Sequence, residues 1–309
     1  MDNILFVPAT REMGWVQDIL PGTSPAELPV AGRRVIDYAI ECAQKFGVMF
    51  TEILDWHFSQ KLADDFADMT RTGYPVFYLK GEGQVPKGLK DIEGYSSPLT
   101  GNISDGLVVV WGVALSTHTA EDVELEPVSE EECVDTPAGL YRREGGRWMR
   151  IVPHGLVVRN VKAWHQLNFI VLRNPEKFTI PGYSSESGVH IGRNVVLEHG
   201  TDVKPPVLLQ DNTWFARNVC LDGEVVVDSG SYVSEGARLH RTVVLNDTYI
   251  GMGLELDGKI VAGRRVIDAE TGTWVDLEEP GLARRIPPGL GWARSFWHFL
   301  RGRSSGRRG

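Results

Sequence analysis

Broken every six positions, residues 189–245 read VHIGRN VVLEHG TDVKPP VLLQDN TWFARN VCLDGE VVVDSG SYVSEG ARLHRT VVL. The third place of each block is apolar: Ile191, Leu197, Val203, Leu209, Phe215, Leu221, Val227, Val233, Leu239 and Leu245. Four places further on stands a small or β-branched residue, from Val195 and Thr201 to Ala237 and Val243. Neither a 3.6-residue helical period nor plain strand alternation gives this spacing, whereas a fixed short repeat does. Each unit reads as a short strand plus a corner, with one large side chain turned into a shared interior. Asn194, Gly200, Asn212, Asn218, Gly230 and Gly236 fall at the corners, and these residue types tolerate positive φ.

Three such units close one triangular turn, and stacked turns pair strand on strand at about 4.8 Å. The pattern resembles the hexapeptide-repeat, left-handed parallel β-helix family. Its handedness follows from that resemblance alone, since ordinary crossovers between parallel strands run right-handed. The register breaks after Leu245, and Ile260–Val261, Arg265–Ile267 and Thr273–Val275 read as strands of a terminal hairpin with a turn near Thr271–Gly272.

Upstream, Ile4–Val7 reads as a buried strand and residues 9–29 as a long irregular stretch. A helix from about Arg34 to Phe46 follows, then strands at Thr51–Leu54, Pro75–Leu79 and Leu107–Val110 and a helix at Gln60–Met69. Strands alternating with helices indicate an α/β domain with a mainly parallel sheet. The chain therefore reads as α/β plus β. A Rossmann-like α/β domain at 1–183 precedes a parallel β-helix with its hairpin cap at 188–279 and a basic amphipathic tail at 280–309.

The net charge is −9, yet the stretch from Pro280 to the end holds seven arginines and no acidic residue. The acidic remainder argues against nucleic-acid binding by the body. Cys42, Cys133 and Cys220 are widely spaced and odd in number, which fits neither a disulfide framework nor a zinc ribbon and favours a reducing compartment. The N-terminus lacks the pattern of a signal peptide and no apolar run is of transmembrane length, so a cytoplasmic protein is expected.

The run Leu28-Pro29-Val30-Ala31-Gly32-Arg33-Arg34-Val35-Ile36-Asp37-Tyr38 resembles a motif of the sugar-1-phosphate nucleotidyltransferases (NDP-sugar pyrophosphorylases) that leads into a helix. Members of that family often carry a C-terminal hexapeptide β-helix. The resemblance implies phosphate-handling chemistry with Mg²⁺, and the groups for it are missing. The family's glycine-rich loop falls on Thr10-Arg11-Glu12-Met13-Gly14-Trp15-Val16, where its arginine position holds Trp15. Pro25 stands at its phosphate-contacting lysine, and Gly112–Val113 at its Gly-Asp, although a valine cannot ligate Mg²⁺. No catalytic residue, metal ligand or cofactor is assigned. Mg²⁺ enters only if the protein is an active, divergent nucleotidyltransferase.

Thr10, Arg11, Arg33 and Arg34 are the candidates for binding a nucleotide or sugar phosphate, against a reading as solvated surface groups. Asp105, Glu121 and Asp122 near the fourth strand read first as solvated loop residues. The β-helix fold also hosts acyltransferases, for which His199 and His240 are candidate bases, with His190 as a further histidine beside the coils. Trp214 and the Pro205–Pro206 corner read as packing. In the tail Trp292, Phe296, Trp297 and Phe299 share one helical face and Arg294 and Arg301 the other. That pattern fits contact with an anionic membrane surface or a partner, and equally docking on the protein's own body.

These readings converge on a nucleotidyltransferase-like protein without catalysis, with a binding, regulatory or assembly role in nucleotide-sugar or surface-polysaccharide synthesis. It is expected as a homo-oligomer or beside a partner enzyme, peripheral at the inner membrane face. An active nucleotidyltransferase and a hexapeptide acyltransferase are the alternatives.

Overall fold

The computed structural model describes residues 4–45, 48–67, 74–97, 101–115, 124–152, 156–184 and 188–287. Phe46, Met69, Glu121, Asp122 and the tail residues Trp292, Arg294, Phe296, Trp297, Phe299 and Arg301 lie outside them. The chain divides into two compact units, Met1–Leu167 with Lys177–Thr179, and Asn168–Glu176 with Ile180–Gly309. It is a mixed α/β protein with parallel sheets and a strand-rich C-terminal part.

In the first unit β1 (Ile4–Val7), α1 (Val35–Lys45), β2 (Thr51–Asp55), α2 (Gln60–Ala67), β3 (Val76–Lys80) and β4 (Val108–Trp111) build the parallel half of a seven-stranded sheet. Then β5 (Glu124–Pro127), β6 (Gly139–Glu144) and β7 (Arg147–Val152) add an antiparallel half. The order is β5-β7-β6-β4-β1-β2-β3. β1 and β2 are buried at every position, as expected of central parallel strands covered on both faces. The sheet is thus less parallel than the sequence reading has it. β6 and β7 join at Gly145–Gly146, both at positive φ (54° and 74°), which the tight hairpin between them requires.

The order doubles back between β1 and β4, making a topological switch point at their C-terminal ends, where ligands of open α/β sheets sit. Beyond β4, Val113–Leu115 pairs antiparallel with Leu156–Val158, and the helix α3 (Val161–Arg173) follows.

The segment after β1 corrects the reading of residues 9–29 as irregular. A 3₁₀ turn, Arg11–Gly14, runs into a short helix, Trp15–Ile19, and Pro25–Glu27 forms a further 3₁₀ turn capped by Ser24. The chain winds into helical turns there, with Gly14 inside the first of them, and Met13 and Val16 become fully buried.

The second unit is a set of three parallel ladders. Val189–Ile191, Val207–Leu209, Val225–Val227, Thr242–Val244 and Lys259–Ala262 form one. Val196–Leu197, Trp214–Phe215, Tyr232–Val233 and Thr248–Ile250 form the second. Asp202–Lys204, Cys220–Asp222, Arg238–His240 and Glu255–Asp257 form the third. Leu209, Phe215, Leu221, Val227, Val233 and Leu239 meet in one buried core. Asn194, Asn212 and Asn218 take φ of 56°, 58° and 58° at the corners. The arrangement is compatible with a three-sided parallel β-helix.

The repeat differs from its reading at Leu245. The first coils advance so that Val207 pairs with Val225, but Val225 pairs with Thr242, one residue short of the six-residue count. Val244 therefore takes the inward place, and the repeat does not break there but continues through Ile250, Leu256 and Val261. Ile260–Val261 belongs to this further coil, and Arg265–Asp268 and Trp274–Asp276 extend its sheet as an antiparallel meander. The turn at Thr271–Gly272 is present, with the Gly272 amide bonded to the Asp268 carbonyl at 2.9 Å. Ala283–Arg285, within the stretch read as tail, pairs antiparallel with Thr248–Ile250. Among the described residues no helix is long and apolar enough to cross a membrane.

Candidate functional site

β1 delivers Thr10 to the switch point, and β4 delivers Gly112–Val113 beside it through a bond from the Gly112 amide to the Val7 carbonyl at 2.9 Å. Thr10 is only 2% exposed, and its Oγ1 is buried without a hydrogen-bond partner. The indole Nε1 of Trp15, on the same segment, is likewise buried and unpartnered. A buried hydroxyl or N–H without a partner costs on the order of 1–3 kcal/mol, so each of these two groups calls for an explanation. Trp15 lies beside Trp164 of α3, ring centroids 5.9 Å apart, and the Trp164 indole is satisfied by the Pro29 carbonyl at 2.7 Å.

The space over Gly112 is narrow. A Cβ at Gly112 would come within 2.8 Å of the Ala138 Cβ and 3.6 Å of Thr10 Oγ1, and its φ of 71° lies in the left-handed region. Ala138 faces Gly112 across the narrow space. The Ala138 amide donates to the Glu12 carboxylate at 2.9 Å, and its carbonyl accepts from Arg159 Nη2 at 3.4 Å. Arg11 is exposed and meets Asp135 only at 4.0 Å, a contact of little energetic weight in water.

Arg159 escapes the sequence reading. It follows Leu156–Val158, whose last residue pairs with Val113, and its Nη2 reaches the Ala138 carbonyl at 3.4 Å. The apolar Leu156-Val157-Val158 run before a cation was the available signal, but only the ladder says where it leads.

Arg33 and Arg34 are engaged elsewhere in the first unit. Arg33 pairs with Glu41 at 2.8 Å, donates to the Thr179 carbonyl at 2.9 Å and lies over the Tyr38 ring. Arg34 pairs with Asp37 at 2.8 Å and Asp65 at 2.6 Å and lies over the Phe66 ring. Burial works to lower the Arg34 pKa, and its bonds to Asp37 and Asp65 outweigh that and raise it. Both line a hollow of about 570 Å³ whose wall also holds Asp37, Glu41 and Asp65, and which neither Thr10 nor Arg11 lines. An anion entering it would meet three carboxylates already satisfied by the two guanidiniums.

Pro25 is buried at the start of its 3₁₀ turn. The capping Ser24 also bonds Asp55 at the end of β2, and the Tyr78 hydroxyl donates to the same carboxylate at 2.9 Å. Burial above all, then the nearby Asp55 charge, pushes the Tyr78 hydroxyl well above its ordinary range. This buried network fixes the course of the segment that carries Pro25. Asp105 accepts from the Gly146 amide at 3.0 Å, a turn contact.

In the second unit His199 and His240 are exposed. His240 Nδ1 lies 2.5 Å from the Asp222 carbonyl, to which it donates. His190 is 3% exposed with Nδ1 unpartnered, and burial holds its pKa below the ordinary value. The outward Trp214 stacks on Tyr232 at 6.4 Å and donates to Glu198 at 3.0 Å, while Tyr232 stacks on Tyr249 at 5.7 Å. The Tyr249 ring at the end of this stack is buried and covered by the Arg284 guanidinium at 4.6 Å, so the stack packs within the second unit.

No family model matches the chain. Over 120 residues it is 25% identical to a UTP–glucose-1-phosphate uridylyltransferase of Synechocystis sp., a stretch covering 38% of this chain and 31% of that one. The chain thus spans about a third of the length of the curated relative it matches. This likeness supports a nucleotidyltransferase relationship for the chain.

Proposed function

We propose that the chain is a nucleotidyltransferase-like protein that binds a uridine nucleotide sugar or its sugar phosphate at the switch point and no longer transfers nucleotidyl groups. The observation that carries this reading is the pair of buried, unpartnered donors, Thr10 Oγ1 and Trp15 Nε1, on the segment where the resembled family cradles phosphate. A phosphate or hydroxyl-rich ligand would satisfy them. Retention of such groups without a ligand would cost stability for nothing.

Transfer needs more than binding. In-line attack on an α-phosphate demands backbone donors around developing charge and a carboxylate-held metal. Here the segment is wound into helical turns, and the resemblance puts Val113 where that family has its metal-binding aspartate. The role left is binding, regulation or assembly in nucleotide-sugar or surface-polysaccharide synthesis. In this reading the C-terminal ladders are a left-handed β-helix through which copies or a partner enzyme associate, and residues 288–309, rich in Trp, Phe and Arg, hold the protein against an anionic membrane surface.

A second reading rests on His240. With Nδ1 held by the Asp222 carbonyl, the exposed His240 keeps Nε2 for an acceptor substrate, as a hexapeptide acyltransferase would need.

Thermal-shift titration of the whole chain separates the readings, since a ligand bound to the native state stabilises by RT ln(1 + [L]/Kd). UDP-glucose is expected to raise the melting temperature and acetyl-CoA to leave it unchanged. A shift with acetyl-CoA alone, abolished by His240→Ala, would transfer the assignment to the second reading.

A further inference from the structure

The resembled family's chemistry implies Mg²⁺ at this site, and the donor set does not fit it. Mg²⁺ takes near-octahedral oxygen ligands, usually including one or two carboxylates. Val113 offers none, and the nearby Glu12 carboxylate is held by the Ala138 amide at 2.9 Å. Among the described residues no three His, Cys, Asp or Glu side chains form a group that could hold a metal.

What stands there instead is a permanent cation. The antiparallel pairing of Val158 with Val113 brings the chain before Arg159 beside the residue after Gly112, and Arg159 Nη2 donates at 3.4 Å to the carbonyl of Ala138, whose Cβ faces the same glycine. Thr10 Oγ1 lies within 3.6 Å of that glycine's Cβ position. Arg159 is exposed, and among the described residues it is paired with no carboxylate. It therefore keeps most of its five N–H donors for a ligand. A guanidinium matches phosphate oxygens in bidentate geometry, and its charge does not depend on metal supply.

We infer that Arg159 replaces the divalent cation: the site takes the diphosphate of a nucleotide sugar without metal, with Arg159 as charge partner and Thr10 Oγ1 as donor. This rests on the reading of the switch point as a nucleotide-sugar site. A delocalised single charge anchors the phosphates, while it supplies neither the double charge nor the fixed inner-sphere geometry that transfer requires. Metal-free binding and lost transfer then share one cause.

The test is calorimetric titration of the full chain with UDP-glucose, once in EDTA and once in MgCl₂, for the native sequence, Arg159→Ala and Arg159→Lys. Equal affinity of the native protein in the two buffers is expected, within about twofold. Arg159→Ala is expected to weaken binding by about tenfold or more in both, as for loss of a charged hydrogen bond, with Arg159→Lys intermediate. Because Arg159 is exposed, circular dichroism and melting temperature should be unchanged by either substitution. Native binding that needs Mg²⁺, or Arg159→Ala binding as well as native, would overturn the inference and leave the nucleotide-sugar reading standing. Absence of UDP-glucose binding in both buffers would overturn the two together.

Discussion

Thr10 carries the clearest tension between stability and function. Thr10→Val keeps the shape and removes the buried hydroxyl, so the ligand-free protein should gain about 1 kcal/mol while binding UDP-glucose less tightly. Chemical denaturation alongside ligand titration checks both signs, and a loss of stability would show that the hydroxyl is satisfied. Asp228 poses a second case. It is 2% exposed, its Oδ1 has no partner, and burial pushes its carboxyl up to about 7 from an ordinary 3.8. Between those values the folded chain keeps a proton that the unfolded chain has lost, so this residue's contribution to stability falls as pH rises from about 4 to about 7. Asp228→Asn should match the native protein near pH 4 and exceed it by about 2–4 kcal/mol near pH 8. Melting curves across that range read it directly, and parallel curves would contradict it.

At the scale of elements, the six-residue ladder depends on large side chains filling one interior. Phe215 is fully buried in that core, and Phe215→Ala should cost about 3–5 kcal/mol, measured by urea unfolding. The repeat was legible because inward positions recur at a spacing no helix or simple strand shares. Its shortened coil was not, since Val243, Val244 and Leu245 are all apolar and either register satisfies the pattern; only the pairing of Val225 with Thr242 decides it. In the first unit Ile4–Val7 and Val108–Trp111 announced themselves as unbroken apolar runs, whereas Thr51–Asp55 buries Glu52 and Asp55 among its apolar residues. Glu124–Pro127, with its charged and exposed side chains, did not, because an edge strand has no buried face to encode. The site was half legible. Thr10, Trp15 and Val113 sit on motif positions, whereas Arg159 owes its place to a long-range strand pairing that no local pattern records.

For the whole molecule, the charge asymmetry makes a prediction separate from the site. The native chain should float with anionic vesicles, and a form lacking residues 288–309 should remain in the soluble fraction. Equal flotation would remove the membrane from the account. The first unit supplies an open α/β sheet with its switch point, and the second a repeat scaffold whose outward Lys204–Asp222 and Arg241–Asp257 pairs suit a solvated face. The proposal that joins these observations is a phosphate-binding switch point at which Arg159 and Val113 replace the metal and the carboxylate needed for transfer. Pyrophosphate release from UTP and glucose-1-phosphate, assayed with the purified full chain in MgCl₂, tests that claim most directly. The account predicts no release above the protein-free control; turnover that depends on Mg²⁺ and vanishes in EDTA would contradict it.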